Sequence, residues 1–241
     1  MAEQEIIKHT KAIVELSTDK KKPWQQQVKE FIGEILIIVF AVSISIWFHN
    51  WSESWKDRGE EKEFLKGLKE DLQADMKEMN SDRATYKQGL KGMAYFENVG
   101  AGMPLSLDSI GAYSNIFFGN IQISPRVSRF EALKGSGRLD IIRNKELLVN
   151  ITDLYTKDFP QIIRVNEYFD RQREEGFFPF IADHLQMDAT GNGTNWQEIL
   201  RAPKMRLLFE LAKGSIACVQ DYTRGIDKCQ LILREIDKEL Y

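Results

Sequence analysis

The chain has little of what would settle its class at a glance. Its 241 residues include only two cysteines, three histidines and six prolines. Two cysteines cannot build a disulfide scaffold. His9, His49 and His184 show no ligand spacing with each other or with Cys218 and Cys229, which leaves no zinc cluster and no expected metal. Six prolines and 16 glycines are too few for a disordered or collagen-like chain. An excess of one charge is missing too. With 33 basic and 36 acidic residues the net charge is −3, and no bulk field draws the protein to nucleic acid. A mean hydropathy of −0.37 excludes several membrane spans, which would lift that average above zero.

Catalytic signatures are equally missing. There is no G-x-S-x-G, no G-x-x-x-x-G-K, no H-E-x-x-H and no dinucleotide-binding glycine motif. Gly135-Ser136-Gly137 is too short to cradle a phosphate. Acidic residues are many, but they fall on amphipathic faces where solvent would keep them ordinary. No enzyme activity and no cofactor are expected.

One long apolar run is present, from Phe31 to Phe48, with Glu34 in its first turn. As a helix, about 18 residues rise roughly 27 Å, close to the hydrocarbon thickness of a bilayer. Trp24 flanks one end, and Trp47, Trp51 and Trp55 cluster at the other, so four of the five tryptophans sit where interfacial aromatic belts form. Ser43 and Ser45 can bond back to carbonyls one turn earlier. A buried core helix would keep a polar face, and none exists between Ile35 and Ile46. A cleaved signal peptide would have a shorter apolar region and a small-residue cleavage site. The run therefore reads as a transmembrane helix. Lys8, Lys11, Lys20, Lys21, Lys22 and Lys29 precede it, against Lys56, Arg58, Lys62 and Lys66 after it, which favours a cytoplasmic N-terminus. Glu34 lies near enough to the headgroups to snorkel outward. Its alternative reading is an ion site or an interhelical contact.

Beyond the span, Leu65, Leu72, Met79, Tyr86 and Met93 recur at heptad spacing, with Leu68, Met76 and Leu90 beside them. That narrow stripe, flanked by mixed charges, predicts a long helix packing against one or two partners. Asn98 to Leu105, with its glycines and proline, should break it. Ser124-Pro125 reads as a helix start, and Ser128 to Glu131 as a capping box. Gly135-Ser136-Gly137 should end that helix. Helices are expected near 144–156 and 160–175, with Phe177 to Phe180 plugging the core from a loop or short turn. Asp188 to Thr194 reads as a surface turn, capped by Asn195. A last helix should run from Pro203 to the end on a stripe of Leu208, Leu211, Ser215, Cys218, Tyr222, Ile226, Cys229, Leu233, Ile236 and Leu240. On one helix Cys218 and Cys229 would stand about 16 Å apart, too far for a disulfide, so both read as small buried apolar groups.

Two stretches carry a resemblance. Ile32-Gly33-Glu34-Ile35, the apolar span, Asn50-Trp51-x-Glu53 and then Leu65-x-x-Leu68-x-x-Asp71-Leu72 form the first. The second runs from Leu133 to Leu147 and contains S-G-x-L-x-x-I-x-N-x-x-L from Ser136 onward. Together they resemble an uncharacterised family of bacterial single-pass membrane proteins, a domain of unknown function. The resemblance implies a membrane anchor and a helical fold but no activity. It also implies a helix-packing role for Gly33 and Glu34.

The expected architecture is mainly α, a single N-terminal transmembrane helix continuing into a long juxtamembrane helix that packs with a C-terminal helical bundle. The expected divisions are a short cytoplasmic tail over 1–28, the transmembrane helix over 29–50, the juxtamembrane helix over 51–97 and a helical extramembrane domain over 98–241. The expected setting is a bacterial inner membrane with the C-terminal domain periplasmic. The chain should be a protein-interaction or scaffold component, binding the bilayer and a protein partner or a second copy through the juxtamembrane helix. The alternative is a sensor-type ligand-binding domain acting through a partner, with Tyr155, Tyr168, Phe169 and Phe177 to Phe180 as candidate lining.

Overall fold

A computed structural model describes residues 24–241. The expected N-terminal tail, with Lys8, Lys11, Lys20, Lys21 and Lys22, lies outside the described residues. Among those described the chain is helical without a β-strand; one isolated bridge joins Met187 and Gly193. Two compact units are distinguished, one ending at Gly59 and a larger one, the body, from Glu60 to Tyr241.

The longest helix, α1, runs from Trp24 to Gly100. Its N-terminal stretch is the candidate membrane span. Leu36, Ile37, Phe40, Trp47 and Phe48 are all exposed, and the most apolar window of 18 residues buries none of its length. Ser45 donates to the carbonyl of Ala41 at 2.9 Å, the back-bond that lets a serine sit in an apolar helix.

Within the body, the stripe predicted from spacing is the core face of α1. Leu65, Leu68, Leu72, Met79, Tyr86 and Met93 are buried there. Short helices follow at Leu107–Tyr113 (α2), Asn115–Phe118 (α3) and Ser128–Gly135 (α4). A 3-10 turn at Leu139–Ile141 leads into α5, Lys145–Asp153. Next come α6, Phe159–Gln172, and α7, Phe178–His184. The chain closes with α8, Trp196–Arg201, α9, Pro203–Ala212, and α10, Ile216–Leu240.

Several expectations change at this level. Residues 145–184 form a nearly continuous helical run rather than two helices and a loop. Widened π-turns join the pieces at Leu154–Asp158 and Arg173–Phe177. Each precedes a proline by one residue: Phe159 N–H reaches back to the Leu154 carbonyl before Pro160, and Phe178 N–H to the Arg173 carbonyl before Pro179. A proline has no N–H to give and its ring collides with the carbonyl four residues earlier. Widening the preceding turn by one residue moves that carbonyl aside and lets the helix continue. Phe177 to Phe180 are consequently helical, with Phe177 buried and Phe178 exposed.

The capping box at Ser128 does not form, and α4 starts with no side-chain cap. Long-range carboxylates take the neighbouring backbone donors instead. Asp75 of α1 accepts the Arg126 N–H at 3.2 Å and Glu78 accepts the Ser124 N–H at 3.1 Å. Gly137, with φ +71°, supplies the left-handed turn after α4. Asn195 does not cap α8; it accepts the Gln186 N–H and donates to the His184 carbonyl, closing the polar loop from behind. The expected C-terminal helix is broken by a 3-10 turn at Lys213–Ser215. Within α9 the buried face is Met205, Leu208, Phe209 and Ala212, which leaves Leu211 exposed.

Two apolar clusters fill the body. One joins α1, α4, α5, α6 and α10 through Leu65, Leu72, Phe130, Ile151, Ile162 and Ile232. In the other, Phe117 is surrounded by Phe96, Phe177, Trp196 and Phe209, with ring centroids 5.0 to 6.2 Å away. Gly225 marks a close helix crossing: a Cβ there would meet Ile162 Cδ1 at 2.9 Å and Met79 Sδ at 3.2 Å. Cys218 and Cys229 are free, buried thiols on α10.

Candidate functional site

The residues singled out around the span lie along the first part of α1. Trp24, Trp47, Trp51 and Trp55 are all exposed. Trp47 stacks on Trp51 at 6.3 Å, and Trp51 meets Trp55 edge-on at 5.9 Å, so the three form a ladder one turn apart. A Cβ on Gly33 would meet nothing within 4 Å. Glu34 is half-buried, and its Oε2 has no hydrogen-bond partner among the described residues. Unsatisfied carboxylate and open glycine are thus adjacent on one helix.

The body contains a different kind of site. The charge run of α1 is not simply a solvated face, because Glu61 and Asp75 are completely buried. Glu61 accepts the Arg143 N–H at 2.8 Å, and Glu60 pairs with Arg138. These contacts hold the Ser136 to Leu147 element, where Asn144 Oδ1 caps α5 by accepting from the Leu147 N–H. Asp75 also binds the Arg126 guanidinium at 2.6 Å. Burial outweighs these partners and holds its carboxyl above the usual range.

A buried polar chain crosses the centre of the body. Tyr86 Oη donates to Asn166 Oδ1 at 3.0 Å, Asn166 Nδ2 donates to Tyr222 Oη at 2.6 Å, and Tyr222 Oη donates to Asp82 at 3.1 Å. Burial pushes both phenols far above their ordinary range and the Cys218 thiol up to about 12. Beside Tyr86 lies a small cavity of about 50 Å³, walled by Met93, Phe169, Arg173 and Phe177. It has room for little more than water.

On the other side of Arg173 a larger pocket of about 210 Å³ opens outward. Phe117, Phe118 and Phe178 form its apolar walls, and Asp170, Arg173 and Glu174 its polar floor and lip. Asp170 and Arg173 make an ion pair one turn apart, each side chain about nine-tenths buried. Burial lowers the guanidinium pKa. Both carboxylate oxygens of Asp170 and Nη2 of Arg173 are buried without a hydrogen-bond partner among the described residues. The pocket thus joins aromatic walls to a buried ion pair with unsatisfied polar atoms.

The aromatic residues expected to line a ligand site divide between roles. Phe169 and Phe177 wall the inner cavity and Phe178 the outer pocket. Tyr155 is core, stacked on Phe130 at 4.6 Å, and Tyr168 is exposed. Sequence reasoning missed Asp170 and Arg173, which look like an ordinary solvated pair at i, i+3. The missed signal is periodic: Phe159, Ile162, Asn166, Phe169, Arg173 and Phe177 follow steps of three and four. Among the described residues no group of three His, Cys, Asp or Glu side chains is placed to hold a metal ion.

A sequence model of DUF6090, a family of unknown function, matches residues 34–178. That range contains most of the candidate span and every residue named around the outer pocket. No curated protein and no solved structure matches the chain.

Proposed function

The chain belongs to DUF6090, a family of unknown function, and from that premise we propose a single-pass membrane protein whose helical body works by binding rather than by catalysis. The observation that carries the reading is the exposed apolar stretch of α1. Leaving so many of Phe31, Ile32, Leu36, Ile37, Phe40 and Phe48 in water would be costly, and a bilayer removes that cost. The tryptophan ladder at Trp47, Trp51 and Trp55 fits the headgroup level at one end, with Trp24 at the other. The lysine excess before the span supports a cytoplasmic N-terminus and a periplasmic body at a bacterial inner membrane. Gly33 and Glu34 fit a helix-packing contact inside the membrane, since a partner helix could approach at the glycine and satisfy Oε2.

Binding is favoured over catalysis because three of the buried carboxylates of the body, Glu61, Asp75 and Glu235, are occupied structurally. Glu61 and Asp75 hold backbone donors, and Glu235 accepts from Asn150. The heptad stripe of α1 is consumed in the body's own core, so a protein partner would use another surface. The outer pocket favours the second form of the proposal, a body that binds a small ligand and reports through a partner. The test of the anchor is extraction and labelling. The protein should stay with membranes in alkaline carbonate. In spheroplasts an impermeant maleimide should label Ser106→Cys but not Ser17→Cys. Release into the soluble fraction would refute the anchor, and the reverse labelling pattern would refute the orientation.

A further inference from the structure

From the pocket between α3 and the π-turn after α6, we propose that the body binds a small organic cation, an ammonium group carried on a ring-sized apolar body. This rests on reading the body as a binding module and names what it takes.

Size comes first. A dry cavity of roughly 150 Å³ holds a benzene ring. At about 210 Å³ this pocket accommodates one ring with a short polar arm. Its walls select an apolar body. Phe118 and Phe178 stand edge-to-face at 6.2 Å on the exposed side, and the fully buried Phe117 closes the inner end.

The charges select the sign. Asp170 and Glu174 face one cation, Arg173, so the pocket carries one uncompensated negative charge. Arg173 is ion-paired with Asp170, and its Nη2, like both Asp170 oxygens, has no hydrogen-bond partner among the described residues. Asp170 itself is only 7% exposed. A carboxylate is acceptor-only, and its lone pairs ask for N–H groups. An ammonium supplies them and lies well against aromatic faces, which attract cations. An anionic ligand would meet one guanidinium but two carboxylates, Asp170 and Glu174. The π-turn at Arg173–Phe177 gives the arrangement its shape, because the widened turn carries Arg173, Glu174 and Phe177 into the space between the two cavities.

The test uses the full chain in mild detergent with three probes of similar size: 2-phenylethylamine, phenylacetate and benzyl alcohol. Binding is read by calorimetry and by the shift of the thermal midpoint. The amine should bind and stabilise, and the other two should not. Glu174→Gln and Phe178→Ala, both at the exposed lip, should fold normally and weaken the amine, Glu174→Gln by about tenfold for one charge-assisted contact. Asp170→Asn should abolish binding, with circular dichroism confirming its fold. Tighter binding of phenylacetate, equal binding of benzyl alcohol, no binding of any probe, or full affinity in the lip variants would each overturn the proposal. None of these outcomes bears on carbonate extraction or labelling, so the membrane anchor stands or falls separately.

Discussion

Asp75 offers the sharpest test of how α1 holds the rest of the body. Its side chain is fully buried, accepting the Arg126 N–H at 3.2 Å and the guanidinium at 2.6 Å. Replacing it by alanine removes the acceptor and leaves the Arg126 N–H partly buried without a partner, about 1–2 kcal/mol. The void left by the carboxylate adds about 1 kcal/mol. The guanidinium is about half exposed (47%) and rehydrates, so nothing is counted for it. Asp75→Ala should therefore cost about 2–3 kcal/mol and lower the melting midpoint by about 4–12 °C for a body of this size. Asparagine keeps the acceptor and loses only the charge. Because burial dominates and raises the carboxyl pKa, the charged form is the poorer fit to this site. Asp75→Asn should thus stay within about 1 kcal/mol of the parent at pH 7. The pH dependence follows the same sign. A carboxyl raised in the folded state contributes its full stability below the unfolded value of about 3.9 and loses it as pH rises through the folded one. Relative to the asparagine variant, the parent should gain stability as pH falls toward about 4. Thermal melts of the full chain in detergent, across pH, decide it. If asparagine costs as much as alanine at pH 7, the charge is the essential feature and the reasoning fails.

Other consequences are simpler to check. Gly137→Ala should cost about 1–2 kcal/mol for a left-handed residue, whereas Gly135→Ala, with a right-handed backbone and open space, should be neutral or slightly stabilising in a denaturant titration. At Gly225 an alanine gains about 1 kcal/mol of helix propensity but crowds Ile162 and Met79, so it should melt near the parent. Valine at the same position should lose about 2 kcal/mol or more. Both thiols are buried with pKa values pushed up to about 12, so maleimide should modify Cys218 and Cys229 only on unfolding. Stoichiometric labelling of the native protein within minutes would contradict that.

Much of the helical skeleton was legible because a 3.6-residue repeat projects apolar side chains to one side without help from any distant residue. The stripe from Leu65 to Met93 and most of that from Cys218 to Ile236 are core faces for this reason. What failed was capping and continuity. Ser128 and Asn195 have the composition of caps, yet α4 starts without a side-chain cap and the Asn195 amide is taken up by the Gln186 N–H and the His184 carbonyl. Pro160 and Pro179 read as helix breaks, but a π-turn ahead of each accommodates the ring at little cost to the flanking packing. The outer pocket was half visible: Phe178 was among the candidates, and Asp170 and Arg173 were not.

The sequence alone determined that this is a helical chain with one candidate membrane span, because length, hydropathy and periodicity are local properties of a helix. Tertiary structure decided which charges are buried. Glu61, Asp75 and Asp170 are indistinguishable in the sequence from the acids around them. Glu61 and Asp75 leave water where the Arg143 and Arg126 segments arrive with donors, and Asp170 where Phe117 and Phe178 wall the pocket beside it. Burial of a charge depends on distant segments arriving, and those meetings are not written in any local pattern.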